Sequence, residues 1–179
     1  MYGISCISND VSAVAKVFRL KNRSEGIPLP IFISSLSDID RFALYFSEEG
    51  RLLAETFWPG ALTLIANKSS AIPDITVAGL KTAGFRIPDH FVPIKLCELT
   101  GGSITGTSAN ISGRPEARSV DDVTGMFGKN NVDLDLILDG GSLCDTNPST
   151  IIDVTSKTLK VIRIGMVSEE AIRSVLCQK

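Results

Sequence analysis

The chain has 179 residues, 44% hydrophobic and 21% charged, and its 18 Lys and Arg against 20 Asp and Glu leave a formal net charge of -2. That much apolar surface can offset the entropy of ordering, which excludes an intrinsically disordered chain; with no basic excess, any polyanion site must come from local clustering. No apolar run approaches the ~20 residues of a membrane span, and residues 1–6 lack the basic-then-apolar pattern of a secretory signal.

Helical and extended segments alternate along the chain, with no repeat, low-complexity tract or linker. Tyr2-Gly3 reads as loop, with no strand ahead of the first helix. Asn9-Asp10 caps a helix whose Val11, Val14, Ala15, Val17 and Phe18 recur at helical spacing, and residues 19–23 end it in a basic run. Ile31-Phe32-Ile33 reads as a short buried strand. Ser37 followed by Asp40 suggests a variant capping box opening a second helix through Phe42 and Leu44. Ser47 starts a third helix, stopped by Trp58-Pro59-Gly60. Residues 62–65 and 84–87 read as strands, and a helix over 92–99 is closed by Gly101-Gly102. A strand over 104–107 leads into the loop Ser108-Ala109-Asn110-Ile111-Ser112-Gly113. Ser119 with Asp122 starts a further helix, residues 134–138, 149–154 and 159–164 look like three more strands, and Ser168-Glu169-Glu170 opens a terminal helix. Such interleaving predicts one α/β layered domain.

Few residue types are available for chemistry. The four cysteines, Cys6, Cys97, Cys144 and Cys177, are dispersed without a C-x-x-C pair and read as reduced thiols of a cytoplasmic protein. One histidine, His90, removes most zinc sites and every Ser-His-Asp or Cys-His mechanism that does not use it, and His90 itself reads as a loop cap. Lys21 and Arg23, two residues apart at a helix end, could converge on one polyanion or could simply complement the helix dipole. As surface charges they would contribute little to stability. The loop from Thr107 to Gly113 packs hydroxyls, an amide and backbone N–H groups into a cradle of nucleotide size, or is an ordinary Asn/Ser/Gly turn; neither common nucleotide signature, G-x-x-x-x-G-K-[ST] nor G-x-G-x-x-G, is present. Arg86 and Arg163 are charges among apolar strand neighbours, each needing either a ligand anion or a structural Asp. Ser149-Thr150 offer two hydroxyls at a strand start.

Taken in order and spacing, these segments resemble the YrdC-like family from Tyr2 to about residue 168. The matching pieces are Tyr2-Gly3-Ile4, Leu20-Lys21-Asn22-Arg23, Phe57-Trp58-Pro59-Gly60, Phe85-Arg86-Ile87-Pro88, Thr107-Ser108-Ala109-Asn110, Leu138-Asp139-Gly140-Gly141, Ser149-Thr150-Ile151 and Arg163-Ile164-Gly165. The family's K-x-R…S-x-N signature falls on Lys21, Arg23, Ser108 and Asn110.

The resemblance implies a single domain over 1–179, with a twisted mixed sheet, flanking helices and a large concave basic face. It implies synthesis of threonylcarbamoyl-adenylate from L-threonine, bicarbonate and ATP with release of pyrophosphate, a nucleotidyl transfer serving the threonylcarbamoyladenosine modification of tRNA. Lys21 and Arg23 would then be catalytic, holding phosphate charge as it redistributes; Thr82, Ser108, Asn110 and Arg163 would bind ATP with them; Arg86 and Ser149 would bind threonine. Mg²⁺ would accompany ATP, held mainly by phosphates for want of a carboxylate cluster. Partners would include other tRNA-modification proteins and tRNA or double-stranded RNA, but no membrane. An RNA-binding module without catalysis and a carbamoyl-transfer relative are the alternatives. The family's usual first strand and P-T-D-T-V turn have no counterpart ahead of Tyr2, so the chain is expected to be N-terminally short.

Overall fold

The structure is a computed structural model that describes residues 1–144, 147–156 and 158–177. In chain order its elements begin with Gly3–Ile4 (β1), Val11–Lys21 (α1), Ile31–Ile33 (β2), a 3-10 turn at Leu36–Asp38, Ile39–Phe42 (α2) and Ala43–Tyr45 (β3). Next come Glu48–Phe57 (α3), Leu62–Lys68 (β4), a 3-10 turn at Asp74–Val77, Thr82–Arg86 (β5), Phe91–Leu99 (α4), Ser103–Thr105 (β6) and Thr107–Ser108 (β7). Val120–Phe127 (α5), Thr150–Asp153 (β8), Lys160–Arg163 (β9) and Glu169–Leu176 (α6) complete the chain.

The main sheet runs β6-β2-β5-β4-β8-β9, with β3 also paired to β4. It is mixed: β2–β5 and β4–β8 are parallel, and the other pairs are antiparallel. The two-residue period of a strand then sorts side chains between its faces. On β4, Leu62, Leu64 and Ala66 are wholly buried; on β5, Ala83 and Phe85; on β8, Thr150 and Ile152. Phe42, Leu53 and Ile172, from α2, α3 and α6, close this face into one apolar cluster. The alternate residues Phe32, Thr63, Thr82, Gly84, Arg86 and Ile151 are left to the opposite face, together with Arg163, which is paired with Ile151. A second cluster joins Val14, Val17 and Phe18 of α1 to Leu29, Ala109, Val123 and Phe127, with Tyr2 and Ile4 from the start of the chain.

Helix starts follow their caps. Asp10, Ser47 and Ser168 accept from Ala13, Gly50 and Ala171 N–H, and Ser119 with Asp122 forms a full capping box. His90 does cap, its Nδ1 accepting from the Val92 N–H at the start of α4.

Four expectations are corrected. The first helix is preceded by a strand, because Gly3 and Ile4 pair with Ser108 and Thr107, a ladder too short to show as a pattern. The capping box after β2 is Ser35 with Asp38, whose Oδ2 collects both the Ser34 and Ser35 N–H, and Leu44 lies in β3 rather than in a helix. The strand over 104–107 breaks at Gly106, where the chain leaves β2 and joins β1. Residues 134–138 form no strand: Leu134 and Ile137 pack on the second cluster, while Leu136 and Leu138 are 71% and 48% exposed. Ion pairs from Asp133 to Arg19 and Asp135 to Lys16 tie this stretch to α1 instead of a strand ladder. Among the described residues, no helix is long and apolar enough to cross a membrane.

One buried hydroxyl holds β8 to the turn after β9. Thr150 Oγ1 donates to Val167 O at 2.6 Å and accepts from the Gly165 and Val167 N–H at 2.8 and 3.2 Å. Thr150→Val keeps the shape and leaves three backbone groups unpaired, so it is expected to lower the unfolding free energy by about 3 kcal/mol, read from the urea midpoint.

Candidate functional site

Helix α1 ends with Asn22 in the left-handed region (φ 47°), its N–H and that of Arg23 returning to Arg19 and Phe18 carbonyls. This tight end turns Lys21 inward. It is 1% exposed, and its ammonium donates to Ser108 O, to Asn110 O at 2.9 Å and to Asn110 Oδ1 at 2.8 Å. Ser108 Oγ donates to the same Asn110 Oδ1 at 2.8 Å, Asn110 Nδ2 donates to Arg114 O, and the Ser112 N–H returns to Lys21 O. Lys21, Ser108 and Asn110 are therefore one hydrogen-bonded knot, and Lys21 is not a surface charge. Burial, reinforced by the positive charge of Arg23 and opposed by Glu116, lowers the Lys21 pKa to about 8.

Arg23 stands beside the knot. Its Nη2 donates to Pro28 O at 3.1 Å, its Nε is buried with no partner, and burial depresses its pKa. An unpaired buried guanidinium N–H is costly unless something else meets it.

Arg86 closes β5 on the open face. Its Nε donates to Gly60 O at 2.6 Å and its guanidinium lies 5.8 Å from the centre of the Phe32 ring; burial lowers its pKa, with Asp89 opposing. Gly60 is held in turn by its N–H to Ile87 O. Further along the same end of the sheet, Thr63 and Ser149 share a hydroxyl bond of 2.9 Å. Arg163 donates Nε and Nη2 to Ser149 O at 3.1 and 2.8 Å, and Nη2 also reaches Ser149 Oγ at 3.3 Å. Arg23, Arg86 and Arg163 thus meet only neutral acceptors, and none is in an ion pair among the described residues. Of the two partners expected for the strand arginines, a structural Asp is not the one bonded among the described residues: each arginine donates to a backbone carbonyl.

The proposed ATP residues divide. Lys21, Arg23, Ser108 and Asn110 come together, and Arg163 joins Ser149 at the Arg86 end. Thr82 does not join them. It shares the open face but pairs with Asn67 at the far end of β5, roughly 13 Å along the strand from Arg86. Thr63 and Gly60 were not singled out by their local patterns, and Phe32 was read as part of a short buried strand. Gly106, a lone glycine inside a strand-like run, was the available signal for the Phe32 contact, since such glycines often mark a close approach. No group of three or more potential metal ligands occurs among the described residues.

A family model described as "Telomere recombination", that of the Sua5/YciO/YrdC proteins, matches residues 1–165. The chain belongs to this family. It is 36% identical over 177 residues to the threonylcarbamoyl-AMP synthase of Pyrococcus abyssi, covering 98% of this chain and 51% of that protein. With the Bacillus subtilis threonylcarbamoyl-AMP synthase the identity is 31% over 181 residues, covering 98% and 50%. The chain thus spans about half the length of these two curated relatives. The crystal structure of P. abyssi Sua5 complexed with L-threonine superposes with a TM-score of 0.89 at 36% identity, covering 98% of this chain and 51% of that one. Escherichia coli YciO shares the fold at a TM-score of 0.78 and 23% identity. The mixed sheet flanked by helices is the family's architecture.

Proposed function

We propose that this chain carries out the threonylcarbamoyl-adenylate synthesis for which its Sua5/YciO/YrdC relatives are named, serving tRNA modification in the cytoplasm. One observation supports the reading most: three guanidiniums, of Arg23, Arg86 and Arg163, are in no ion pair among the described residues, around a sheet face and loop that also offer the hydroxyls of Ser108, Thr63 and Ser149. Arg23 and Arg86 are partly desolvated and Arg163 is exposed; guanidiniums outside any ion pair are poised for anions, and a triphosphate beside an amino acid supplies them.

In the reaction, the amine of L-threonine takes up bicarbonate with loss of water to give a carbamate. A carbamate oxygen attacks the α-phosphorus of ATP, and the bond to the β-phosphate oxygen breaks, releasing pyrophosphate. Arg86 offers both Nη groups to the threonine carboxylate, its Nε being committed to Gly60 O. Ser149, held by Thr63 and Arg163, lies beside the amino acid. Arg23 meets phosphate oxygens with its unpaired Nε and remaining donors. Lys21 places a positive charge under the Ser108–Asn110 loop and holds the loop's shape for the nucleotide, an electrostatic role needing no general base. Arg163 contributes a further cation to the nucleotide; Thr82 would reach ATP only if the nucleotide extends along β5. Mg²⁺ enters as part of the substrate, MgATP, bound through the phosphates.

Pyrophosphate release that requires both threonine and bicarbonate is the expected result. Release with carbamoyl phosphate and without threonine would overturn the reading in favour of carbamoyl transfer. Arg86→Ala is expected to raise the threonine concentration for half-maximal rate by about 30-fold and that for ATP by less than about 3-fold, the loss of a charge-assisted pair costing about 2 kcal/mol. Equal shifts in both would remove Arg86 from the amino-acid site.

A further inference from the structure

We propose that Phe32 is a positioning residue: its ring, keyed into the space left by Gly106, fixes the Arg86 guanidinium and ties the amino-acid half of the site to the phosphate half. This rests on the reading of Arg86 as the carboxylate ligand.

Phe32 is the middle residue of β2, between Ile31 and Ile33, which are both fully buried in the core, so it alone of the three faces the site. Its two lateral neighbours are β5, where it pairs in parallel register with Arg86, and β6, where it pairs with Ile104. On one side the ring carries the Arg86 guanidinium at 5.8 Å, a cation–π distance. On the other it fills the space above Gly106: a Cβ there would lie 2.2, 2.3 and 2.5 Å from three ring carbons. Gly106 is outside the left-handed region, so backbone freedom does not explain the glycine; the ring does. The Gly106 N–H is fixed on Pro30 O at 2.8 Å, and the Phe32 carbonyl accepts from the Cys97 thiol, so neither backbone is free to yield.

Two residues after Gly106 comes Ser108, whose carbonyl takes the Lys21 ammonium. The ring therefore stands between the segment that shapes the phosphate loop and the arginine assigned to threonine. Any side chain at position 106 would drive the ring away from that segment and towards Arg86. The glycine is thus a specificity device acting at a distance, with Phe32 as its follower.

The test is a four-protein cycle in the full chain: parent, Gly106→Ala, Phe32→Ala and the double variant, with Phe32→Leu added as a variant that keeps an apolar side chain and removes the ring. Thermal unfolding reads the interlock without reference to function. Gly106→Ala is expected to lower the melting temperature of the parent by about 5 °C and to have almost no effect once Phe32 is alanine. Additive losses in the cycle would overturn the interlock. Threonine-dependent pyrophosphate release reads the positioning. Gly106→Ala and Phe32→Leu are each expected to raise half-saturating threonine about 10-fold and ATP less than 3-fold, which a general loss of structure would not separate. A parent that releases pyrophosphate with threonine, and a Gly106→Ala protein with an unchanged threonine requirement, would refute the positioning role alone. A parent that ignores threonine would instead bring down the reading of Arg86, and the positioning role with it.

Discussion

Lys21→Ala is expected to reduce pyrophosphate release by 100-fold or more and, at the same time, to lower the unfolding free energy by about 3 kcal/mol. The ammonium is buried and is the shared donor for Ser108 O, Asn110 O and Asn110 Oδ1. Removing it leaves the Ser108 and Asn110 carbonyls without this donor and Asn110 Oδ1 with only the Ser108 hydroxyl, and the loop loses its shape together with its charge. Urea unfolding and steady-state turnover check the two effects. Lys21→Met, which keeps the stem, is expected to recover part of the stability and none of the turnover, separating the packing of the aliphatic chain from the work of its charge. An unchanged melting temperature in Lys21→Ala would show the ammonium to be dispensable to the loop. The pH dependence has a definite sign. With a folded pKa of about 8 against 10.5 for free lysine, folding sheds a proton between those values, so the Lys21 contribution to stability rises with pH across that window. Anions restore the charged form, so nucleotide binding near pH 8 and above is expected to take up protons, seen as a calorimetric enthalpy that changes with buffer ionisation.

Gly165→Ala is expected to cost about 3 kcal/mol, the upper range for overpacking, and to cut turnover at least about 10-fold. A Cβ there would lie 2.2 Å from Pro148 O and 2.6 and 2.7 Å from Ser149 C and O. These are backbone atoms of the segment that presents Ser149, so the strain cannot be relieved by turning a side chain. The segment would have to move, carrying the carbonyl on which Arg163 rests and the hydroxyl shared with Thr63. Denaturant midpoints measure the first effect and threonine-dependent release the second. A Gly165→Ala protein of parental stability would show that the 148–149 backbone shifts freely, which would also weaken the placement of Ser149.

Some of this was legible in the sequence because it is local. The caps Ser47, Ser119 and Ser168 state their helices within four residues, and the run 62–65 states the strand β4. The K-x-R and S-x-N pieces were visible as a resemblance, but spacing alone could not show that Lys21 is enclosed by the second piece, 87 residues away. The partner of Arg86 escaped for the same reason, since the Gly60 carbonyl reaches it only after β4 and β5 pair. Residues 134–138 illustrate the opposite failure. Apolar residues in an extended pattern make a strand only where a neighbouring strand supplies the ladder, and here two ion pairs to α1 take its place. The Ser35–Asp38 box was misplaced because Ser34, Ser35 and Ser37 stand before two aspartates, and only geometry selects among them.

Trp58 is the only tryptophan in the chain, stacked on Phe46 with its indole N–H on Leu62 O, and two residues before the carbonyl that anchors Arg86. The molecule therefore carries a single indole fluorophore, two residues from the carbonyl that holds the arginine meant for the amino acid. Its emission gives an unlabelled optical titration, free of any second source from the same residue type, in which arrival of an amino acid is followed without waiting for turnover.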